Sequence, residues 1–295
     1  HYATATAFRR ALEDRLKTQA AVRDQPLEQL RREFLFQRFL ALIFAEPGSN
    51  WVLKGGASLS MRLPDARYSK DLDLLNLALD PEQAVAELRA LTTPRPGDQL
   101  RFVISDAVTY STVNPVSEIT VTAYIGSQYG SFSIDLATEL HLTGAPDRIQ
   151  PTPVIDLTGL RPLPQIVVYP LPDQIADKVC AMYEHHGEAG HPSTRYRDLV
   201  DLAIIINTGT LDAAPILKAL QAESLRRGIQ VPSRIASPGT TWAAGYASTA
   251  KTTKLDPQLK TLDNALTRVA QCLDPLLNGT RTSGTWSPAT GWTGS

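Results

Sequence analysis

The sequence predicts an α/β (α+β) chain with a mixed N-terminal half and a helical C-terminal half. Three observations carry this. Helical periods and short β-rich runs alternate over the first 142 residues, in the order helix, helix, strand, helix, strand, helix, then strands. Beyond a proline-rich stretch at 143–172, the pattern is helical alone. The 295-residue composition, 43% apolar and 20% charged, is that of a soluble globular protein with room for one large or two ordinary domains.

The elements follow in order. Residues 4–24 repeat Ala7, Phe8, Ala11 and Leu12 at helical spacing, and a second helix occupies 27–46 between Pro26 and Pro47-Gly48. Trp51 to Gly55 is a short buried strand. Gly55 and Gly56 make the turn, a helix opens at Ala57, and Pro64-Asp65 breaks it. Asp71 to Leu77 is a second strand, and Asp80-Pro81 caps a helix running to Leu91. Runs from Arg101, Glu118 and Ser131 have the β-branched and aromatic enrichment of strands. Helices are expected at 172–186, 193–206, 213–227 and 255–277, whereas 228–253 lacks a clear period. The domain reading is an N-terminal α/β domain at 1–142, a linker at 143–172, a helical domain at 173–278 and a mobile Gly/Ser/Thr-rich tail at 279–295.

Composition narrows the function. No apolar run approaches the ~18 residues of a membrane span, and no secretory signal is visible, although the chain starts at His1 rather than Met. Cys180 and Cys272 have no metal-ligand spacing, which fits a reducing cytoplasm. A net charge of −1 argues against a protein that coats nucleic acid but leaves room for a local basic groove. Arg62, Arg67 and Lys70 form one short basic cluster, Arg195 and Arg197 another. His185, His186 and His191 read as a solvated helix end.

The chemistry concentrates between Leu53 and Leu75, in "LKGGASLSMRLPDARYSKDLDLL". In a strand, residues i and i+2 share a face, so Asp71 and Asp73 project together while Leu72 and Leu74 face the core. Two carboxylates on one face supply hard oxygen ligands for Mg²⁺ or Mn²⁺. The glycines offer backbone N–H groups at a helix N-terminus, a phosphate cradle. Glu82 stands twelfth from Asp71, as in a calcium loop, but Leu75 and Asn76 occupy positions that need a ligand and a glycine. No Gly-Lys-Ser/Thr follows the glycines, so a P-loop is absent.

Strand, Gly-Gly, helix, a gap holding Arg67 and Ser69, then Asp71-x-Asp73 resembles the nucleotidyltransferase superfamily, and more narrowly the AbiEii/AbiGii toxin family with its MenT-like members. Ala57 stands where the family often has Ser or Thr, so a hydroxyl contact to phosphate is either lost or taken over by Ser58 next to it. "SFSIDLATE" is similar to the family's later strand and makes Asp135 a third acid. "DQIADKVCAM" is similar to the helix bearing a motif lysine, here Lys178. "RYRDLVDL" is similar to the last motif, with Arg197 where Lys is frequent and Asp198 after it. Asp201 lies three residues on, on the same helical face.

The resemblance implies a nucleotidyltransferase-like mixed sheet with flanking helices. It also implies a toxin that moves a nucleotidyl group from an NTP to an acceptor hydroxyl, the 3′ end of tRNA, with Mg²⁺, blocking translation. Asp71 and Asp73 hold metal. Asp135 completes the set or acts as base. Lys178 neutralises developing charge, and Asp198, preferred over Asp201, orients it or the acceptor. Gly55, Gly56, Ser58, Arg67 and Ser69 bind nucleotide. A phosphoryl group on Ser69 would repel the triphosphate and switch the enzyme off. The partners implied are NTP, tRNA and an antitoxin protein, with no membrane. The alternatives are a transferase acting on a small molecule or protein, and a degenerate nucleotide-binding domain without catalysis.

Overall fold

The computed structural model describes residues 2–63, 65–109, 116–138, 140–187 and 190–294. Contacts divide it into two units. The first gathers His1–Met61, Tyr68–His141 and Pro146–Val168, and the second Arg62–Arg67, Leu142–Ala145 and Tyr169–Ser295.

The first unit opens with helices α1 (Ala5–Arg23) and α2 (Leu27–Ile43). The Thr4 side chain caps α1 by accepting the Ala7 N–H, and Phe8, Leu12 and Leu16 bury one stripe of it. Strand β1 (Trp51–Lys54) runs into α3 (Gly55–Arg62), then come β2 (Leu72–Asn76) and α4 (Pro81–Leu91). Asp80 caps α4 by accepting the Gln83 N–H. Pro64, expected to break the third helix, lies outside the described residues, as does His1. Strands β3 (Arg101–Ile104), β4 (Val108–Thr109), β5 (Val116–Ile125), β6 (Ser127–Thr138), β7 (Asp147–Ile149) and β8 (Ile166–Val168) complete the unit.

These strands form one mixed sheet, in the order β3-β5-β6-β2-β1-β8-β7, with β4 added against β5. The pairs β2–β6 and β1–β8 are parallel and the others antiparallel. Period two sorts the residues. Ile119 and Val121 of β5, Phe132, Ile134 and Leu136 of β6, and Leu72 and Leu74 of β2 are buried. Their neighbours Glu118, Asp135 and Asp73 stay partly exposed. Phe36 and Phe39 of α2 pack edge-on against Phe132, with ring centroids 5.0 and 5.5 Å apart, and Phe39 also meets Phe102 of β3 at 5.3 Å. Helix α2 therefore covers the apolar face of the sheet.

Part of the stretch expected as a linker, 143–172, enters this sheet as β7 and β8. Three-residue strands among prolines give no readable period. What places them is the tertiary pairing of Leu53 with Val168.

The second unit holds α5 (Leu171–Tyr183), β9 (His185–His186), β10 (His191–Pro192), α6 (Tyr196–Thr208), β11 (Leu211–Asp212), α7 (Ala213–Arg227), α8 (Trp242–Lys251), α9 (Leu262–Leu277), β12 (Thr285–Ser287) and β13 (Gly291–Thr293). The histidines are not a helix end: α5 stops at Tyr183, and His186 pairs with His191 across a two-stranded ladder. Helix α8 falls within the region that lacked a period, held by the buried Trp242 and Tyr246. The C-terminal stretch, expected to be mobile, forms a hairpin on β11. Trp286 is buried and donates to the Ile206 carbonyl at 2.9 Å, and Trp292 donates to that of Cys272 at 2.9 Å. Cys180 and Cys272 are buried free thiols. No helix among the described residues is long and apolar enough to cross a membrane.

Candidate active site

In the first unit the site is built at the junction of β1, α3 and β2. Gly55 adopts φ +60°, a left-handed conformation that turns the chain from strand into helix. Asp73 is pressed onto that turn: a Cβ placed on Gly55 would lie 1.8 Å from Asp73 Oδ2. The carboxylate thus rests at the N-terminal end of α3, where the helix dipole favours negative charge. Gly56 is buried in the first turn of the same helix. Ser58 is buried too, and its hydroxyl donates to the Gly55 carbonyl at 3.0 Å. The hydroxyl expected to meet phosphate lies within the turn that opens α3.

Asp71 stands one residue before β2, and like Asp73 it is half-buried rather than fully enclosed. The Ser69 hydroxyl donates to Asp71 Oδ1 and to the Asp71 carbonyl, each at 3.1 Å. Ser69 is only 5% exposed. The hydroxyl expected to be open to phosphorylation is thus turned toward Asp71 in this structure.

Register extends the site sideways. Asp73 pairs with Asp135 across β2–β6, Asp135 with Glu118 across β5–β6, and Asp73 with Lys54 across β1–β2. Glu118, Asp135, Asp73 and Lys54 thus form a row across four strands on the face opposite the aromatic cluster. Three carboxylates against one ammonium leave the row acidic, and adjacent like charges on a sheet face repel. Lys54 and Glu118 escaped the sequence reading, because cross-strand register is not encoded locally. Their only signal was period-two placement on strands already identified.

The second unit holds a separate charged cluster. Lys178 of α5 is 3% exposed, and its Nζ donates to Asp198 Oδ1 at 3.1 Å and Asp201 Oδ2 at 2.6 Å. Both aspartates lie on α6, three residues apart. Arg195 Nε donates to Asp198 Oδ2 at 2.6 Å. Arg67 Nη2 donates to Asp201 Oδ2 at 3.1 Å, with its Nε in ion-pair contact with Oδ1 at 2.9 Å. Burial alone would push the Lys178 ammonium down, but Asp201 and Asp198 more than offset that and hold it above its ordinary value. The cluster keeps one net positive charge from three cations and two carboxylates. Asp198 and Asp201 both serve Lys178, so motif position does not single out Asp198. Arg67 is committed to Asp201, and Arg197 is exposed.

The donor chemistry of the first unit fits a hard divalent cation, since Mg²⁺ takes one or two carboxylates and completes its shell with phosphate and water. Among the described residues no three His, Cys, Asp or Glu side chains gather as a ready metal cluster.

Comparison with known proteins gives the class first. The structure is similar to MenT4, a nucleotidyltransferase toxin of Mycobacterium tuberculosis H37Rv, at TM-score 0.55 and 15% identity, over 90% of this chain and 89% of that one. It is also similar to JHP933 of Helicobacter pylori, at TM-score 0.47 and 14% identity, over 86% and 93%. The likeness to MenT4 shows a shared fold. The family follows from the sequence: the model of the nucleotidyl transferase AbiEii toxins, of type IV toxin–antitoxin systems, matches residues 38–268. The chain belongs to this family and is a nucleotidyltransferase, and membership implies an NTP substrate and an antitoxin. A comparison with curated proteins returns no match.

Proposed function

We propose that this transferase moves a nucleotidyl group from an NTP to the hydroxyl at the 3′ end of tRNA, in the cytoplasm, and so blocks translation. The observation that carries the reading is the acidic row: Asp73 packed on Gly55 at the start of α3, with Asp135 beside it in register and Asp71 flanking. Asp71 and Asp73 hold Mg²⁺, which when bound neutralises charge on the triphosphate and the leaving group. Gly55 and Gly56 shape the turn that receives phosphate. In the transfer, the acceptor oxygen bonds to the α-phosphorus, the bond from that phosphorus to pyrophosphate breaks, and pyrophosphate leaves. Asp135 takes the acceptor proton. Lys54, opposite Asp73, supplies counter-charge to the row. Lys178 balances negative charge that develops during transfer, with Asp198 and Asp201 orienting its ammonium.

The test is incubation of the protein with each labelled NTP, Mg²⁺ and total tRNA. Label is expected at the tRNA 3′ end. Label on protein or a small molecule, or no transfer with any NTP, would contradict the proposed acceptor.

A further inference from the structure

A second charged feature of the first unit lies away from the carboxylate row. Arg38 of α2 and Arg161 of the loop before β8 meet at a cavity of about 120 Å³. Arg38 Nη1 donates to the Arg161 carbonyl at 2.8 Å, which brings two arginines together. Among the described residues Arg38 has no ion-pair partner. Arg161 has one weak one, Asp98, with its Nη2 3.5 Å from Oδ1. Asp98 is itself engaged, since its Oδ2 accepts the Arg95 N–H at 2.8 Å. Phe8 and Phe102 supply an apolar wall, and Thr93 and Asp98 also line the cavity. The Arg38 guanidinium is pushed below its ordinary value, by burial first and by Arg161 second. An anion beside it would offset both causes.

The cavity lies on the sheet face away from the acidic row. Arg38 is on α2, whose Phe39 packs on Phe102 and Phe132, the apolar side of the sheet. Asp73, Asp135 and Glu118 alternate with that side along their strands.

We propose that this cavity is a second anion site that takes a phosphate group. Two guanidiniums against the one carboxylate of Asp98 leave a positive excess that matches phosphate, because a guanidinium fork can donate two parallel hydrogen bonds to it. Size restricts the ligand: pockets that enclose a drug-sized molecule run roughly 300–1,000 Å³, so a phosphate group fits and a whole nucleotide does not. The phosphate comes either from a free phosphate compound or from a nucleic-acid backbone.

The experiment is calorimetric titration with inorganic phosphate at matched ionic strength, on the wild type and on Arg38→Gln and Arg161→Gln. Arg161 is half exposed on a loop, so its variant folds even if Arg38→Gln does not. Each substitution is expected to weaken phosphate binding roughly tenfold or more, the loss of charge-assisted hydrogen bonds. Unchanged affinity in Arg161→Gln, or equal binding of acetate and phosphate by the wild type, would overturn the site. A short single-stranded RNA separates the sources. Parallel loss of RNA affinity in the variants assigns the site to backbone phosphate, and loss of phosphate affinity alone assigns it to a free phosphate compound.

Discussion

Gly55 joins the backbone of the site to its carboxylates. A side chain there would demand a left-handed conformation that costs other residues about 1–2 kcal/mol, and would strike Asp73 Oδ2. Gly55→Ala should therefore displace Asp73, and a misplacement of ~1 Å lowers rate on the order of 100-fold. Transfer kinetics beside a melting curve test this, and wild-type kcat in a folded Gly55→Ala would show that Asp73 is not needed where it sits. Lys178 calls for a different expectation. Its ammonium is enclosed by two buried aspartates, so Lys178→Ala removes one partner from each and leaves Asp198 to Arg195 and Asp201 to Arg67. Stability should fall by about 1.5–3 kcal/mol, the loss of charge-assisted hydrogen bonds, together with activity, read as a denaturant midpoint. Lys178→Arg should not restore either, because a planar fork does not replace a compact ammonium in that space. A Lys178→Ala variant as stable and as active as the wild type would show that the buried pairing contributes to neither. At this scale the sequence was legible where the pattern is local. Asp71 and Asp73 follow from period two, and Gly55 from its place between strand and helix. Lys54, Glu118 and the pairing of Arg67 with Asp201 depend on contacts between segments far apart in the chain, which no local pattern carries.

Single elements are held by few contacts, and two of them can be tested alone. Helix α1 is tied to α2 and β6 through Glu13, which accepts from Arg31 Nε at 3.0 Å and the Tyr129 hydroxyl at 2.7 Å. Burial pushes the Glu13 carboxyl up, but the Arg31 and Tyr129 hydrogen bonds outweigh it and hold the group below its ordinary 4.5. A carboxylate lowered in the folded state stabilises above its unfolded value, and that contribution is lost as pH falls through the folded one. Glu13→Gln should thus be less stable than the wild type at pH 7, by about 1–2 kcal/mol. The gap should close as pH falls below about 4.5. A gap that does not change with pH would mean that Glu13 acts by packing alone. The C-terminal hairpin depends on Trp286, and Trp286→Ala should cost about 3–5 kcal/mol in a urea titration. No change would mean that the hairpin is detached in solution. The long elements were legible because their periods are long: α1, α2, α4 and α7 lie within a few residues of their expected spans. The hairpin was missed because its Gly/Ser/Thr composition resembles a loose tail, and two tryptophans outweigh it. Strands β7 and β8 are too short to show a period.

At the scale of the molecule, the chain is two units of different character, a mixed sheet with flanking helices and a helical unit with small β additions. The general order of helices and strands was legible, but the division was not. Segments 62–67 and 142–145 belong with the second unit although each lies inside the first by sequence. Contacts that cross long stretches of chain set this boundary, and proline content alone suggested another. Family membership establishes a nucleotidyltransferase, and the claim specific to this chain is that Asp71 and Asp73 carry the transfer. The most direct measurement is NTP-dependent transfer by the wild type, Asp71→Ala and Asp73→Ala, each paired with a melting curve. Losing a metal ligand removes several kcal/mol of transition-state stabilisation, while removing Asp73 from the repelling row, or the half-buried Asp71 beside it, leaves folding intact. The account predicts two variants that melt like the wild type and transfer no detectable nucleotide. A folded Asp71→Ala or Asp73→Ala protein that transfers nucleotide at the wild-type rate would contradict it.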